Sequence, residues 1–122
     1  MKPVVVRRVV ANLAAPEPSA LAAFYREVFD LEIAMDHGWI VTLASDAATM
    51  TPQLSLASEG GSGTLVPQLS IEVDDVERAH ARAQALGAAI AYPLTDEPWG
   101  VRRFFVRDPA GHLLNVLAHL PR

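Results

Sequence analysis

The sequence predicts an α+β fold in which two βαβββ modules form a cupped, mainly antiparallel sheet around a cleft. The order of one strand, one helix and three strands can be followed twice along the chain. FDLEIAM at 29–35 aligns with LGAAIAY at 86–92, an offset of 86 − 29 = 57 residues, which is close to half of the 122 residues. Each half has a single amphipathic helix, which covers only one face of a sheet. The uncovered faces are therefore expected to meet across the cleft.

We predict one domain over 1–122, with module 1 at about 1–60 and module 2 at about 64–122. Module 1 opens with a strand over 4–13, where VVVRRVVANL is rich in β-branched side chains. A helix follows, because Pro18 suits a first helical turn and the apolar residues after it recur at helical spacing. These residues are Leu21, Phe24, Tyr25 and Val28. The remaining predicted elements are strands at 33–35, 39–43 and 53–57, a hairpin turn at 36–38 and a glycine-rich connector at 58–63.

Module 2 repeats this order, beginning with a predicted strand at 68–73. The run DDVE at 74–77 predicts a capping box, with an aspartate N-cap and Glu77 as the third helical residue. The helix ends at Gly87, a typical left-handed stop, and its predicted inward residues are Val76, Ala79, Ala83 and Leu86. A strand at 89–92 and two longer strands complete the module. The longer strands flank the turn DPAG at 108–111, in which Asp caps the turn and Gly permits a bulge.

The composition excludes several functional classes. There is no cysteine, so disulfides, zinc–thiolate sites and a cysteine nucleophile are excluded. The formal charge of −4 and the lack of a basic run argue against nucleic-acid binding. No apolar stretch approaches the roughly 20 residues of a membrane span, and arginines interrupt the N-terminal run too early for a signal peptide. We expect a cytoplasmic protein, and its single lysine, Lys2, is typical of a GC-rich bacterial genome.

No motif for nucleophilic or phosphate chemistry is present. The serines have no companion His and Asp at a recognisable spacing. The GGSG run lacks the Lys-Ser/Thr that completes a phosphate loop. Function must therefore be sought in the predicted cleft.

Three segments carry a resemblance to a known family: AAFYREVFDLE, SIEVDDVERAHARAQALGA and PWGVRRFFVRDPAGHLLNVL. In their order and spacing the chain resembles the vicinal-oxygen-chelate superfamily, which includes glyoxalase I, bleomycin-resistance proteins, fosfomycin-resistance enzymes and extradiol dioxygenases. The resemblance covers nearly the whole chain. It implies a glyoxalase-like fold, with paired βαβββ modules around a pocket.

In metal-using members of that superfamily, His, Gln or Glu ligands come from the first and last strands of each module. Carried onto this sequence, those positions are Arg8 or Val10, Gln68 and Asn115. Only Gln68 is a usual ligand, since an arginine repels a cation and an asparagine offers one neutral oxygen. The four histidines show no metal-ligand spacing. We therefore predict neither metal nor cofactor; if a metal does bind, Gln68 and His119 are the candidate ligands.

Strand alternation predicts which side chains line the cleft. If Asn115 faces it, Leu113 does as well, and an antiparallel hairpin brings Phe105 opposite Asn115 with Arg103 on the same side. Arg103 either pairs with an anionic ligand or with Glu97 or Asp96 of its own chain. The complete set of predicted ligand-binding residues is Trp39, Gln53, Ser55, Gln68, Trp99, Arg103, Phe105, Leu113 and Asn115.

Two of these residues keep an open role. Trp99 precedes a strand, where it either covers an apolar ligand by stacking or closes the end of the sheet or a dimer interface. Trp39 begins a predicted strand whose inward face the sequence does not decide. The sign of the ligand's charge is open too, because the negative net charge suits a cation and Arg103 suits an anion.

The resemblance implies a protein of the glyoxalase/bleomycin-resistance type. We expect it to bind a small organic molecule in the cupped cleft without a metal, as a homodimer, with neither nucleic acid nor membrane as a partner. The alternative is a metal-dependent lyase, isomerase, thiol transferase or dioxygenase of the same superfamily. If it is an enzyme, a glyoxalase I-like lyase or an extradiol-type dioxygenase is expected. A third possibility is a structural partner protein with a filled cleft.

Overall fold

A computed structural model describes residues 3, 7–8, 10–47, 50 and 53–121 of the chain. It contains two helices and six strands in the described residues: α1 (Pro18–Phe29), β1 (Glu32–Asp36), β2 (Val41–Ala44), β3 (Leu69–Glu72), α2 (Val76–Ala85), β4 (Ala89–Asp96), β5 (Val101–Arg107) and β6 (Leu113–His119). The strands form an antiparallel pair, β1–β2, and a four-stranded sheet in the order β3-β6-β5-β4. The predicted α+β class is confirmed.

The four-stranded sheet is built by a crossover and a meander. After β3, helix α2 carries the chain across the sheet to β4 at its far edge, and β4, β5 and β6 then return antiparallel. The last of these strands pairs with β3 in parallel. The β5–β6 register aligns Phe105 with Asn115, as the sequence predicts. Between them, Gly111 adopts the left-handed φ of 88° that the turn requires.

The helices cover one face of this sheet and form the core with it. Helix α1 contributes Phe24, Tyr25 and Val28, which confirms its predicted apolar stripe. The sheet contributes alternate residues of β5 and β6, which form the helix-facing row. The buried members of this core are Phe24, Tyr25, Val28, Val76, Ala79, Ala83, Phe104, Val106, Leu114 and Val116.

Two predicted strands of module 1 are not observed. Residues 10–13 and 53–57 have no strand structure, and positions 4–6 and 9 of the first segment lie outside the described residues. In the second segment Leu54 is 81% exposed and Leu56 is 97% exposed. Alternation favours a strand only where the apolar row has a surface to pack against. Leu54 and Leu56 find no such surface in the part of the chain that the structure describes.

Three smaller predictions also need correction. The N-cap of α2 is Asp75, whose Oδ1 accepts from the backbone N of Arg78 at 3.0 Å, so Arg78 and not Glu77 is the third helical residue. Glu77 is therefore not at the helical position from which its side chain would complete a capping box. Leu86 follows the end of α2 and is 47% exposed, not inward. Strand β2 begins at Val41, which leaves Trp39 in the preceding turn.

Candidate functional site

The face of the four-stranded sheet turned away from the helices is called the cup face here. Its residues alternate with those of the helix-facing row, and the strand register brings them side by side. Ser70 lies beside Asn115, and Asn115 beside Phe105. The cup face comprises Gln68, Ser70 and Glu72 near β3, Leu113, Asn115, Leu117 and His119 on β6, Val101, Arg103, Phe105 and Arg107 on β5, and Tyr92 on β4.

Arg103 occupies the β4–β5 side of the cup face and is only 4% exposed. Its Nε donates to Oε2 of Glu97 at 2.8 Å, and its Nη2 lies 2.7 Å from the same oxygen. The backbone carbonyls of Gly60 and Gly61 accept from Nη1 and Nη2 at 2.7 and 3.2 Å. Of the two roles predicted for Arg103, the structure shows the pairing with the chain's own acid.

Three aromatic rings surround this guanidinium. The Arg103 Cζ lies 5.2 Å from the ring centroid of Tyr92, 4.9 Å from that of Trp99 and 4.8 Å from that of Phe105. Such distances allow cation–π attraction, which is stronger away from water. We call Tyr92, Glu97, Trp99, Arg103 and Phe105, with residues 60–62, the closed half of the cup face.

The carboxylate of Glu97, like the guanidinium of Arg103, has several hydrogen-bond partners. It accepts from the Tyr92 hydroxyl at 3.2 Å and from the Ser62 hydroxyl at 3.1 Å, in addition to Arg103. A buried ion pair is tolerated only when further hydrogen bonds complete both groups. The closed half meets that condition from its own residues.

The β3 side of the same face is different, and we call Gln68, Ser70, Glu72, Asn115 and His119 its open half. All of these except Asn115 are exposed. Oε1 of Gln68 accepts from the backbone N of Leu113 at 2.9 Å, and His119 Nδ1 lies 3.0 Å from Oε2 of Glu72. Asn115 is 8% exposed, and its Nδ2 donates to the hydroxyl of Ser70 at 3.0 Å. Its Oδ1 is buried and has no hydrogen-bond partner within residues 3, 7–8, 10–47, 50 and 53–121.

The remaining predicted residues lie elsewhere or at the rim. Trp99 is 52% exposed, with its ring against Gly61, so it covers Arg103 and still offers surface to solvent. Trp39 is 78% exposed in the turn before β2. Gln53 and Ser55 are exposed in the irregular segment between β2 and β3. The structure therefore groups six of the nine predicted residues on or beside the cup face and leaves these three outside the four-stranded sheet.

The turn that joins β5 to β6 is anchored by a buried aspartate. Oδ2 of Asp108 accepts from the Tyr25 hydroxyl at 2.7 Å and lies 2.7 Å from Nδ1 of His112, while Oδ1 accepts from the backbone N of His112 and Ala110. Burial raises the pKa of the Asp108 carboxyl, but the hydrogen bonds from Tyr25 and His112 outweigh it, so its pKa is lowered. Burial and the Asp108 contact raise the pKa of Tyr25. This network fixes the hairpin to α1.

The family model of the Glyoxalase/Bleomycin resistance protein/Dioxygenase superfamily matches residues 7–116. The chain belongs to this superfamily. Its predicted family is thereby confirmed, and so is the glyoxalase-like form of its fold. No curated protein gives a significant match.

Solved structures of the superfamily match almost end to end. TioX from Micromonospora sp. ML1 is 25% identical, with a TM-score of 0.63, and the match covers 94% of this chain and 98% of TioX. A lactoylglutathione lyase from Agrobacterium tumefaciens is 25% identical, with a TM-score of 0.61 and 96% of each chain covered. TnmS3, an antibiotic-binding protein from Streptomyces sp. CB03234, is 20% identical, with a TM-score of 0.62 and 98% of each chain covered, a likeness that shows the fold alone.

The described helices include none long and apolar enough to cross a membrane.

The residues at the superfamily's metal-ligand positions do not fit a divalent ion. Arg8 and Val10 are exposed, and neither offers a donor atom. Gln68 already uses its carbonyl oxygen, and Asn115 brings a neutral amide. Among the described residues no three His, Cys, Asp or Glu side chains cluster as metal ligands. His119 has only Glu72 beside it, on the exposed rim.

Several residues of the site escaped the sequence analysis. Ser70 could have been found, because it lies two positions after Gln68 on the same face of β3. Tyr92 could have been found from its place opposite Phe105. The contribution of Gly60, Gly61 and Ser62 could not, since an irregular connector carries no periodic signal of where it folds.

A separate depression of about 230 Å³ lies beside the helices near Arg26 and Arg82, away from the cup face.

Proposed function

We propose that this chain binds a small organic molecule on the cup face and does so without a metal ion. The observation that carries the proposal is the side chain at the last metal-ligand position of the superfamily, Asn115. It is a buried carboxamide whose oxygen no described residue pairs, and the described surroundings lack the carboxylate and imidazole donors of a metal site. Such a group suits hydrogen bonding to an organic ligand better than coordination of a cation.

The surroundings of Asn115 support this proposal. Phe105 and Leu113 are apolar neighbours in the sheet, and Trp99 presents an exposed part of its ring at the rim. Small-molecule sites combine such apolar walls with a few polar anchors. TnmS3, which shares the fold, is an antibiotic-binding protein, and this agrees with a binding role for such a sheet.

We further propose that a second copy of the chain covers part of the surface. Large apolar side chains are exposed in and around the segment between β2 and β3, which is unusual for a monomer. They are Trp39, Leu54, Leu56 and Leu65, all more than two-thirds exposed. In a symmetric dimer the alternating run at 53–57 would gain the packing surface that it lacks in one chain. Light scattering should then give the mass of a dimer, and the mass of a monomer would contradict the proposal.

Metal analysis combined with ligand screening tests the binding function. Protein purified without chelators is expected to carry substoichiometric Ni, Zn, Mn and Fe, and a screen of small aromatic compounds is expected to raise the unfolding midpoint. A ligand at 100 times its Kd stabilises by about 2.7 kcal/mol. Stoichiometric metal would overturn the metal-free proposal, and a screen without any stabilising compound would favour a structural partner role.

The second candidate is a metal-dependent lyase, favoured by the 25% identity to a lactoylglutathione lyase over 96% of the chain. It would need metal ligands that the described residues do not supply. An assay for lactoylglutathione lyase activity with added Ni²⁺ or Zn²⁺ separates the two candidates. Metal-dependent turnover would favour the lyase. If that turnover survived in Asn115→Leu, Asn115 would be excluded as a metal ligand.

A further inference from the structure

We propose that the Asn115 carboxamide anchors the ligand where a metal ion would stand in other members of the superfamily, by accepting a hydrogen bond from a neutral N–H or O–H group. This inference rests on the proposed binding function and adds the chemical class of the group that is bound. Neither a metal-bound oxygen nor an anion would then be the feature that the site recognises.

The first argument is the unpaired oxygen itself. Asn115 lies on β6 between β3 and β5, with Ser70 on one side and Phe105 on the other. Its Nδ2 is engaged by Ser70, and its buried Oδ1 has no hydrogen-bond partner among the residues that the structure describes. Buried polar atoms in folded proteins are nearly always paired, and an unpaired one costs stability. Because none of the described residues supplies that partner, we assign it to a bound ligand.

The second argument is that the adjacent residues cannot supply that partner. The neighbours of Asn115 along its own strand face are Leu113 and Leu117, and the residue across the hairpin is Phe105. All three side chains are apolar. Gln68 is held by its oxygen on the backbone of Leu113, so its carboxamide serves the β3–β6 pairing.

The third argument concerns charge. Arg103 is paired with Glu97 and Glu72 lies against His119, while Arg107, at the exposed turn end of β5, donates to the carbonyl of Gly111. A charged ligand group placed against Asn115 would lose its hydration among Leu113, Leu117 and Phe105, none of which carries a charge. A neutral donor loses much less hydration than a charged group. The sequence left open whether the ligand is a cation or an anion, and we infer that the group bound by Asn115 is neither.

Matched aryl compounds provide the test. Phenol is a neutral donor, anisole has nearly the same shape without the donor, and benzoate is an anion. Their Kd values are measured by titration into ¹⁵N-labelled protein, following the side-chain amide of Asn115 and the indole N–H of Trp99. We expect phenol to bind roughly 2- to 12-fold more tightly than anisole, the range of one net hydrogen bond, and benzoate to bind most weakly.

The variant Asn115→Leu should abolish the preference for phenol over anisole while leaving anisole binding nearly unchanged. The same variant should unfold at an equal or higher temperature, because it removes an unpaired buried group. Gln84→Leu, a control on the exposed surface of α2 and away from the cup face, should keep the preference. An unchanged preference in Asn115→Leu, or tighter binding of anisole or benzoate in the wild type, overturns the inference. Absence of binding by all three compounds would instead count against the proposed function.

Discussion

The closed and open halves of the cup face satisfy their polar groups in opposite ways. In the closed half a full charge, Arg103, is completed by Glu97, two backbone carbonyls and three rings of its own chain. In the open half the described residues leave one oxygen of a neutral amide, Asn115 Oδ1, without a hydrogen bond. The comparison shows that charge alone does not mark a ligand anchor. The group that the fold leaves incomplete is the better candidate.

The difference has a local cause in the strands. The β4–β5 hairpin returns Glu97 to the level of Arg103, and the connector at 60–62 lies against both. On the other side β3 is the edge strand, and the described chain places no loop carbonyl or acid against Asn115. The sheet therefore carries a buried ion pair on its β4–β5 side and exposed polar side chains along β3.

The largest effect is expected from breaking the closed half. Arg103→Met leaves Glu97 buried and without its partner, and this kind of loss costs about 3–5 kcal/mol. Arg102→Met is the matched control, because Arg102 is adjacent and pairs with Asp96 and Glu77 at the exposed surface. Urea unfolding of both variants should show a much smaller loss for Arg102→Met. Equal losses would mean that the buried pair does not hold the closed half together.

A smaller loss is expected where the hairpin shared by both halves is fastened to α1. Tyr25→Phe removes a buried hydrogen bond to an ionised Asp108, which is worth about 1.5–3 kcal/mol. Because the pKa of Asp108 is lowered in the folded state, its stabilising effect is complete above the ordinary value of about 3.9 and is lost as the pH falls through the lowered value.

The pH dependence makes this prediction specific. The wild type should lose stability on acidification below about pH 4, and Tyr25→Phe should lose less over the same interval because its Asp108 pKa is shifted less. The measurement is the free energy of unfolding in urea at several pH values. A parallel acid dependence in both proteins would show that Asp108 is not responsible, and would leave the exposed acids Asp96 and Glu77, whose pKa values Arg102 lowers, as the source.

The contact between the connector and Trp99 should contribute less again. Gly61 has a φ of +88°, and a Cβ there would lie 2.9 Å from Cη2 of Trp99. Gly63 has a φ of +75° with open space around it. Alanine at either position incurs backbone strain of roughly 1–2 kcal/mol, but only Gly61→Ala should also shift the Trp99 fluorescence. Identical fluorescence and stability for the two variants would mean that the connector does not hold the ring.

The sequence predicted the hairpin half of the site well, and it failed where local pattern carries no information. Alternation on β5 and β6 placed Phe105 opposite Asn115 and put Arg103 and Leu113 on the same side, because strand parity is a local property. It could not decide between a ligand and Glu97 for Arg103, since that depends on the β4–β5 register. The strand at 53–57 was wrong because strand formation depends on a partner surface that is not encoded in the segment.

The smallest effect is expected from the one contact that the open half makes with Asn115. Ser70→Ala removes the acceptor of Nδ2, but Ser70 is exposed, so water can take the place of its hydroxyl. We expect a loss of only about 0.5–1 kcal/mol in urea unfolding. The side-chain amide signals of Asn115 should move in the NMR spectrum, because the carboxamide loses its fixed orientation. A loss as large as that of Arg103→Met would show the open half to be as tightly built as the closed one, and the distinction between a completed and an incomplete half would fail.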